Sequence, residues 1–335
     1  MLKYIPHFPI SRFIVMFVVA SALALSTVRA PAQDAEVPTP DAATHLHHIK
    51  TVFIIVMENH NWTGDGRRSI KGNPAASYIN YTLLPEASHA ENYSNPPGNH
   101  PSLPNYLWLE SGTNFGIKND NTPAHNHRGT REHLVTLLQH AGISWKSYDE
   151  NISGKVCPLT DEGPRDANGN PLYGVRHDPF VYFDDVTGSR NAKSSYCIAH
   201  IRPFTELQRD LASNDVARYN FITPNVCDDM HDACGGDPIA HGDAWLRRNV
   251  PHILNSTAFR SGGALFITWD EAANKNGPIP MLVLSPFAKG NHYSNHLYYT
   301  HGSMLRTLEE IFGVSPLMRD AAHERDLRDM FRVFP

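Results

Sequence analysis

The chain has 335 residues, of which 41% are hydrophobic and 19% are charged, and its formal net charge is −5. This length suits one large domain or two small ones, and the hydrophobic share suffices for a sizeable core. Removal of an N-terminal signal peptide that contains Lys3, Arg12 and Arg29 lowers the net charge to −8. This negative charge argues against a nucleic-acid-binding surface. The 20 histidines are an unusual number and offer candidates for metal ligation, phosphate binding and proton transfer.

The N-terminus has the layout of a secretory signal peptide. Lys3 and Arg12 accompany an apolar run from Phe13 to Leu25, and small residues follow as far as Ala32. The run is shorter than the roughly 20 residues that a membrane-spanning helix needs. We therefore predict a signal peptide over residues 1–32, a leader over 33–47 and a single domain over 48–335. The protein is expected to be secreted or periplasmic, without a stable membrane anchor.

Four cysteines follow the signal peptide, and an even number in an oxidising compartment indicates two disulfides. We favour Cys157 with Cys197 and Cys227 with Cys234, although sequence alone leaves the other pairings open. A structural zinc site is the alternative. It is less favoured because the cysteines lack paired C-x-x-C spacing.

Short apolar runs alternate with helix-like segments along the chain, which predicts an α/β fold with a mainly parallel sheet covered by helices. The predicted strands are Thr51–Met57, Ser144–Tyr148, Tyr219–Thr223, Ala264–Trp269 and Met281–Leu284. The predicted helices are Thr130–Ala141, Thr205–Leu211, Asp243–Leu254 and Ser303–Phe312, some of them closed by glycine. Residues 154–193 show little apolar periodicity and are predicted to form an irregular excursion.

Polar clusters follow three of the predicted strands. They are Glu58-Asn59, Asp270-Glu271 and the segment Asp228–His231. Ligands of open parallel sheets bind beyond the carboxyl ends of the strands, and oxygen donors with an imidazole suit a divalent cation. A single acid after a strand is often only a loop cap or an ion-pair partner, but three clusters at one edge favour a metal site.

Ser102 lies in the segment Asn99–Tyr106, with proline directly before it and a helix-compatible stretch after it. Proline favours the first turn of a helix, so Ser102 is expected at a helix N-terminus, where backbone N–H groups favour an alkoxide or a phosphate. The residue is therefore either a nucleophile or a helix cap. As a nucleophile, its hydroxyl needs a base or a metal to activate it.

His301 lies two residues before the start of the predicted helix Ser303–Phe312. A histidine at this position either meets a ligand at the helix N-terminus or has a structural or capping role.

Five ordered segments together resemble one known family. They are Val56–Asn59, Asn99–Tyr106, Pro224–His231, Thr268–Glu271 and His301–Leu305. They resemble the phosphoesterase family that contains bacterial respiratory-burst-inhibiting acid phosphatases, phosphatidylinositol 3-phosphatases and phospholipases C. The resemblance extends from about His48 to Val314, and it implies an alkaline-phosphatase-like three-layer sandwich for the predicted phosphoesterase domain.

The resemblance also implies a set of functional residues. Ser102 is implied as the phosphorylated nucleophile, with His231 and His301 as further catalytic residues. Asn59, His231 and His301 are the implied phosphate-binding residues. A divalent metal cation of open identity and number is expected on Glu58, Asn59, Ser102, Asp270 and Glu271. The roles of Asp228, Asp229, His125 and His127 stay open.

These features predict an exported, metal-dependent acid phosphatase that hydrolyses phosphate monoesters, or phosphoinositides, through a phosphoserine intermediate. The serine nucleophile and the early end after the last motif resemble the compact acid-phosphatase branch. One alternative is a phospholipase C-type phosphodiesterase that acts on phospholipids. The other is a catalytically silent secreted protein that binds a metal or ligand.

Overall fold

The structure is a computed structural model of the chain and describes residues 47–273 and 277–335. The predicted signal peptide and nearly all of the predicted leader lie outside the described residues. Within the described ranges, none of the helices has the length and hydrophobicity required to cross a bilayer.

A mainly parallel sheet forms the centre of the fold. Its strands and those of two small sheets are β1 (Thr51–Met57), β2 (Ser88–Ala90), β3 (Tyr93–Ser94), β4 (Trp145–Asp149), β5 (Glu162–Arg165), β6 (Pro171–Tyr173), β7 (Ile201–Pro203), β8 (Tyr219–Thr223), β9 (Gly263–Trp269), β10 (Met281–Leu284), β11 (Tyr293–Asn295) and β12 (Tyr299–Thr300). The eight-stranded sheet has the order β11-β2-β10-β9-β1-β8-β4-β7. Strands β9, β1, β8, β4 and β7 run parallel, whereas β10 is antiparallel to both of its neighbours.

The central strands are buried along almost their whole length. Every residue of β8, β9 and β10 is buried, as is every residue of β1 after Thr51. Successive side chains of a strand point to opposite faces of the sheet, so both faces are covered. The predicted α/β fold with a mainly parallel sheet is confirmed.

The covering helices are α1 (Leu84–Glu86), α2 (Ser102–Ser111), α3 (Pro123–Asn126), α4 (Leu134–His140), α5 (Asp184–Thr187), α6 (Ser195–His200), α7 (Thr205–Ser213), α8 (Pro238–Leu254), α9 (Thr257–Arg260) and α10 (His301–Phe312). Helices α2, α4 and α10 contact one another, and α8 contacts α7 and α9. A π-helical turn covers Ile79–Leu83. Short 3₁₀ turns include Val175–His177 and Pro179–Tyr182.

Three predicted helix starts were wrong. Helix α10 begins at His301 rather than Ser303, because the Thr300 side chain caps it by accepting the Gly302 N–H at 3.2 Å.

Helix α4 begins at Leu134 rather than Thr130, because Arg128 forms a β-bridge with Phe183 and donates its N–H to Tyr182 O at 2.7 Å. These contacts hold the preceding segment extended.

Helix α8 begins at Pro238 rather than Asp243. Asp237 caps it by accepting the Ile239 N–H at 2.9 Å, and proline occupies the first helical position. Asp243 lies inside the helix, where its carboxylate accepts the N–H groups of Tyr78 and Ile79, each at 2.9 Å. Asp243, which we predicted as the first residue of this helix, therefore caps the segment that contains Tyr78 and Ile79.

The predicted irregular excursion contains local structure. Strands β5 and β6 form a hairpin within it, and the Cys157–Cys197 disulfide connects its start to α6. A second disulfide, Cys227–Cys234, closes the loop that follows β8.

Candidate active site

The polar ends of β1 and β9 lie side by side at one edge of the sheet. Met57 is paired with Trp269 in the parallel register, so Glu58 and Asp270 follow at the same level. The Glu58 N–H donates to Asp229 O at 2.8 Å, and the Asp270 N–H donates to Met57 O at 2.9 Å. The polar residues after β1, β8 and β9 therefore meet at one place.

Ser102 is the first residue of α2 and is buried. Its Oγ donates to Glu58 Oε2 at 3.0 Å, and Pro101 occupies the cap position without a side-chain capping bond. One turn later on the same helix face, the Tyr106 hydroxyl donates to Glu58 Oε1 at 2.6 Å. The hydroxyl of Ser102 thus faces the carboxylate cluster rather than capping its own helix.

His177 joins this cluster from the excursion. Its Nε2 lies 3.3 Å from Glu58 Oε1, and its Nδ1 lies 3.2 Å from Asp229 Oδ2. The imidazole ring stacks on Tyr106 with 5.3 Å between ring centroids. One ligand atom from each of Glu58, His177 and Asp229 falls within 4.8 Å of the others, and all three residues are buried.

Burial dominates the electrostatics of the cluster. It raises the pKa of Glu58 well above its ordinary value, and the negative charges of Asp270 and Asp229 raise it further. Burial also raises the pKa of Asp229 and Asp270 and lowers that of His177 well below its ordinary value. Carboxylates so close together in a dry environment need protons or a cation to offset their repulsion.

The donor set fits a divalent metal ion. Asp229 Oδ2, Asp270 Oδ2 and both ring nitrogens of His177 are buried and have no hydrogen-bond partner among the described residues. The His177 nitrogens are near Glu58 and Asp229, but these contacts lack hydrogen-bond geometry. Buried polar atoms in proteins normally have a partner. Carboxylate oxygens with an imidazole are suitable ligands for a divalent cation, so Glu58, Asp229 and His177 could hold one.

Asn59 makes the turn out of β1. Its φ is 47°, in the left-handed region that asparagine tolerates better than most residues. Its N–H donates to Asp270 Oδ1 at 3.2 Å. With its side-chain amide oriented to donate, Nδ2 lies 3.2 Å from both Asp270 Oδ1 and Glu58 Oε2.

Glu271, also predicted to bind the metal, lies outside the Glu58–His177–Asp229 group. Its Oε2 accepts from Asn105 Nδ2 at 2.9 Å and lies 2.6 Å from His100 Nδ1. Burial, with the charge of Asp270, raises the pKa of this carboxyl. Glu271 is thus next to the cluster, held by two residues of the Asn99–Tyr106 segment.

The two predicted catalytic histidines differ in accessibility. His301 is fully buried, with Nε2 2.5 Å from Asp270 O and Nδ1 2.9 Å from the Tyr93 hydroxyl. Both of its ring nitrogens are therefore engaged within the fold, and it supports the Asp270 main chain. His231 is partly exposed, and its ring centroid lies 5.8 Å from that of His177. Its Nδ1 lies 2.8 Å from Asp232 Oδ1.

The first backbone N–H after Ser102 is not free, contrary to our expectation for this helix N-terminus. The Leu103 N–H donates to Asp120 Oδ1 at 2.9 Å.

Three residues whose roles could not be assigned from sequence are His127, Asp228 and His125. His127 Nδ1 lies 3.0 Å from Asp184 Oδ2, Asp228 accepts from Asn225 Nδ2 at 3.1 Å, and His125 is exposed on α3.

Comparison with known proteins identifies a matching family and relatives that are named as phosphatases. Residues 90–315 match the profile of the Phosphoesterase family. The chain is 28% identical over 274 residues to a phosphatidylinositol-3-phosphatase of Mycobacterium tuberculosis, covering 82% of this chain and 80% of that protein. It is 29% identical over 229 residues to an acid phosphatase of Aspergillus fumigatus, covering 66% of this chain and 47% of that protein. The chain therefore spans about half the length of this fungal relative.

Solved structures agree in fold. A Vibrio parahaemolyticus protein of the alkaline phosphatase superfamily gives a TM-score of 0.53 at 11% identity, covering 82% of this chain and 70% of that one. A phosphonate monoester hydrolase of Agrobacterium radiobacter gives a TM-score of 0.50 at 12% identity, covering 85% of this chain and 78% of that one. At such low identity the likeness shows the fold alone.

Proposed function

Because the chain belongs to the phosphoesterase family and is a phosphoric-ester hydrolase, we propose that it is an exported, metal-dependent acid phosphatase acting through a phosphoserine on Ser102. Membership confirms the family predicted from the five ordered motifs. The activity, the metal and the residue roles below belong to this proposal.

One contact carries the assignment of Ser102 as nucleophile. Its Oγ donates to Glu58 Oε2 at 3.0 Å, inside a buried cluster that also contains Asp229 and Asp270. A serine hydroxyl needs an adjacent base or metal to become nucleophilic, and this cluster offers the residues for both. A serine that only capped its helix would bond to its own backbone.

The metal is proposed on the acidic cluster, where Asp229 and His177 have donor atoms without partners among the described residues and a Glu58 oxygen lies within 4.8 Å of them. Glu58, Asp229 and His177 would hold it, together with the ligands predicted from sequence, which are Asn59, Ser102, Asp270 and Glu271. A bound divalent cation neutralises phosphoryl oxygens and lowers the pKa of a hydroxyl that it contacts.

The chain's own residues supply the remaining chemistry in two steps. Ser102 Oγ forms a bond to phosphorus while its proton passes to Glu58 Oε2. The bond from phosphorus to the leaving oxygen breaks, and the alcohol takes a proton from His231. Water then gives a proton back to His231 and attacks the phosphoserine. The Oγ–phosphorus bond breaks, and Oγ regains its proton from Glu58.

Asn59 and His301 have positioning and binding roles in this proposal. The side-chain amide of Asn59 is a donor for a phosphoryl oxygen. His301 keeps the Asp270 main chain in place through its 2.5 Å contact. Because the Tyr93 hydroxyl engages its other ring nitrogen, it has this positioning role rather than the phosphate contact predicted from sequence.

Two observations support export. The two disulfides are typical of proteins from oxidising compartments, and the N-terminal sequence has the layout of a signal peptide. The proposed substrates are small phosphate monoesters, including phosphoinositides, since the Mycobacterium tuberculosis relative is a phosphatidylinositol-3-phosphatase. The second candidate is the phospholipase C-type phosphodiesterase predicted from the family resemblance.

The first experiment measures phosphate release from p-nitrophenyl phosphate by the purified mature protein at acidic to neutral pH. EDTA should abolish the activity, and one or more added divalent metals should restore it. Ser102→Ala should abolish turnover but retain metal binding, measured by calorimetry. Ser213→Ala, which alters an exposed serine at the end of α7, is the matched control and should behave like the wild type.

A phospholipid diester assayed in parallel separates the two candidate functions. Faster release from the monoester supports the phosphatase, and release from the lipid diester alone would favour the phosphodiesterase. Full activity in Ser102→Ala would refute the serine mechanism, and activity that survives complete metal removal would refute the metal dependence.

A further inference from the structure

Arg176 directly precedes His177 in the 3₁₀ turn Val175–His177, so it is carried to the acidic cluster by the same backbone turn. Its side chain lies close to Gly174, where an added Cβ would be 3.0 Å from Arg176 Nη1. The absence of a side chain at Gly174 lets the guanidinium lie against the backbone there. The turn therefore gives Arg176 a defined place beside the cluster.

The surroundings of Arg176 are strongly acidic, yet none of the described residues is a close partner of its side chain. Glu58, Asp229, Asp120 and Asp161 all act on its charge and raise its pKa, against the opposing effect of burial. Among the described residues, however, none forms a hydrogen bond with its guanidinium or an ion pair within 4.0 Å. Asp120 and Asp161 are instead engaged by the N–H groups of Leu103 and Val175.

An arginine that only balanced buried charge would be expected to pair closely with one of these carboxylates, since a half-buried guanidinium gains most from direct contact. This guanidinium keeps its planar fork of donors available. Arg176 directly precedes His177, whose Nε2 lies 3.3 Å from Glu58 Oε1, and the same Glu58 accepts the Ser102 hydroxyl. In agreement with this placement, the charge of Arg176 lowers the pKa of Glu58 and of Asp120. Its position is therefore near the nucleophile.

The charge of the cluster creates a specific need for such a cation. A divalent cation would offset only part of the charge of Glu58, Asp229 and Asp270. The negative charge that remains repels an approaching phosphate, and the repulsion grows with the charge of the phosphate. A phosphate monoester carries up to two negative charges, whereas a diester carries one. A guanidinium can bind two oxygens of one phosphate through parallel hydrogen bonds, which a monoester provides more readily.

From this geometry we infer that Arg176 is a substrate-binding residue that holds the non-bridging oxygens of the phosphate and favours monoesters over diesters. The inference rests on the proposed phosphatase function. It adds Arg176 to the residues predicted from the sequence motifs and makes it the residue that determines the preference for monoesters over diesters.

The test compares the metal-loaded wild type with Arg176→Gln and Arg176→Lys. Calorimetry with inorganic phosphate measures binding without turnover, and kcat/KM is measured for p-nitrophenyl phosphate and for bis(p-nitrophenyl) phosphate. Arg176→Gln should weaken phosphate binding by about 10- to 100-fold and lower the monoester-to-diester ratio of kcat/KM by about 10-fold or more. Arg176→Lys keeps the positive charge but loses the paired donors of the guanidinium. Its phosphate affinity and its monoester-to-diester ratio should lie between those of the wild type and Arg176→Gln. Arg209→Gln, at an arginine whose side chain is 70% exposed, is the matched control.

The metal content and the thermal unfolding of each variant are also measured. A variant that loses metal or stability would indicate that Arg176 has a merely structural role. Unchanged phosphate binding in Arg176→Gln would overturn the inference, as would equal losses for both esters or a loss that follows metal content. If the wild type hydrolyses neither ester, the proposed function fails, and the phosphate affinities of the wild type and Arg176→Gln still decide whether Arg176 binds phosphate.

Discussion

Glu110 is a fully buried carboxyl on α2, two turns beyond Ser102, and it accepts a hydrogen bond from the Tyr219 hydroxyl. Burial raises its pKa from 4.5 to about 8, and the charge of Asp178 adds to this effect, while the hydrogen bond from Tyr219 opposes it. The folded protein therefore keeps this carboxyl protonated at pH values where the unfolded chain ionises it.

The sign of the stability effect follows from the two pKa values. Below pH 4.5 both states hold the proton, and the contribution of Glu110 to stability is fully present. As the pH rises from 4.5 to about 8, only the unfolded state loses the proton, so the free energy of unfolding falls by about 1.4 kcal/mol per pH unit. The total loss is about 5 kcal/mol, and above pH 8 it grows no further.

Glu110→Gln keeps an acceptor for Tyr219 but cannot ionise, so it should lack this loss. Urea unfolding of both proteins, followed by tryptophan fluorescence at several pH values from 4.5 to 8.5, measures the difference in unfolding free energy. The free energy of unfolding of the variant, relative to that of the wild type, should increase by about 5 kcal/mol across this pH range. Glu86→Gln, at an exposed acid, is the control. Parallel pH profiles for the wild type and Glu110→Gln would refute the reasoning.

Two further predictions concern the loop that carries Asp229. Asp229→Asn removes one of the anionic ligands and should weaken divalent-metal binding by about 10-fold or more, measured by calorimetry. An unchanged dissociation constant would remove Asp229 from the metal site. Replacement of Cys227 and Cys234 by serine opens a loop with a sequence separation of 7 and should lower the free energy of unfolding by about 2.5 kcal/mol in urea titrations. It should also weaken metal binding, because Asp229 lies within that loop. Wild-type values for both quantities would count against this role of the disulfide.

The central strands could be predicted from sequence because each has its own local signal. Strands β1, β8 and β10 have the predicted bounds, and β9 begins one residue earlier than predicted. A buried parallel strand is a continuous apolar run, and its polar successor then lies at a known edge of the sheet. The grouping of Glu58 with Asp270 could be predicted for this reason.

His177 could not be predicted, because no local signal marks it. It lies in the excursion, where apolar periodicity is weak, and it reaches Glu58 and Asp229 through tertiary contacts. The stacking of its ring on Tyr106 is likewise a long-range contact. Arg176 was missed for the same reason, since an Arg-His pair in a loop is too common to indicate a site.

The accessibility of the histidines also depends on tertiary structure. His301 and His231 were given equal roles from sequence, but only His231 is partly exposed. The Tyr93 hydroxyl and the Asp270 carbonyl engage both ring nitrogens of His301, and neither partner is near it in the sequence.

The contact of Asn59 with Asp270 joins residues separated by 211 positions in the chain. Neither β1 nor β9 alone carries this pair, which comes together only when the two strands dock in their parallel register. Closure of such long loops is slow compared with formation of local helices. Recovery of ester hydrolysis after dilution from denaturant should therefore report the docking of β9 on β1. Enzyme activity can thus serve as a probe of long-range assembly that helix signals in circular dichroism do not follow.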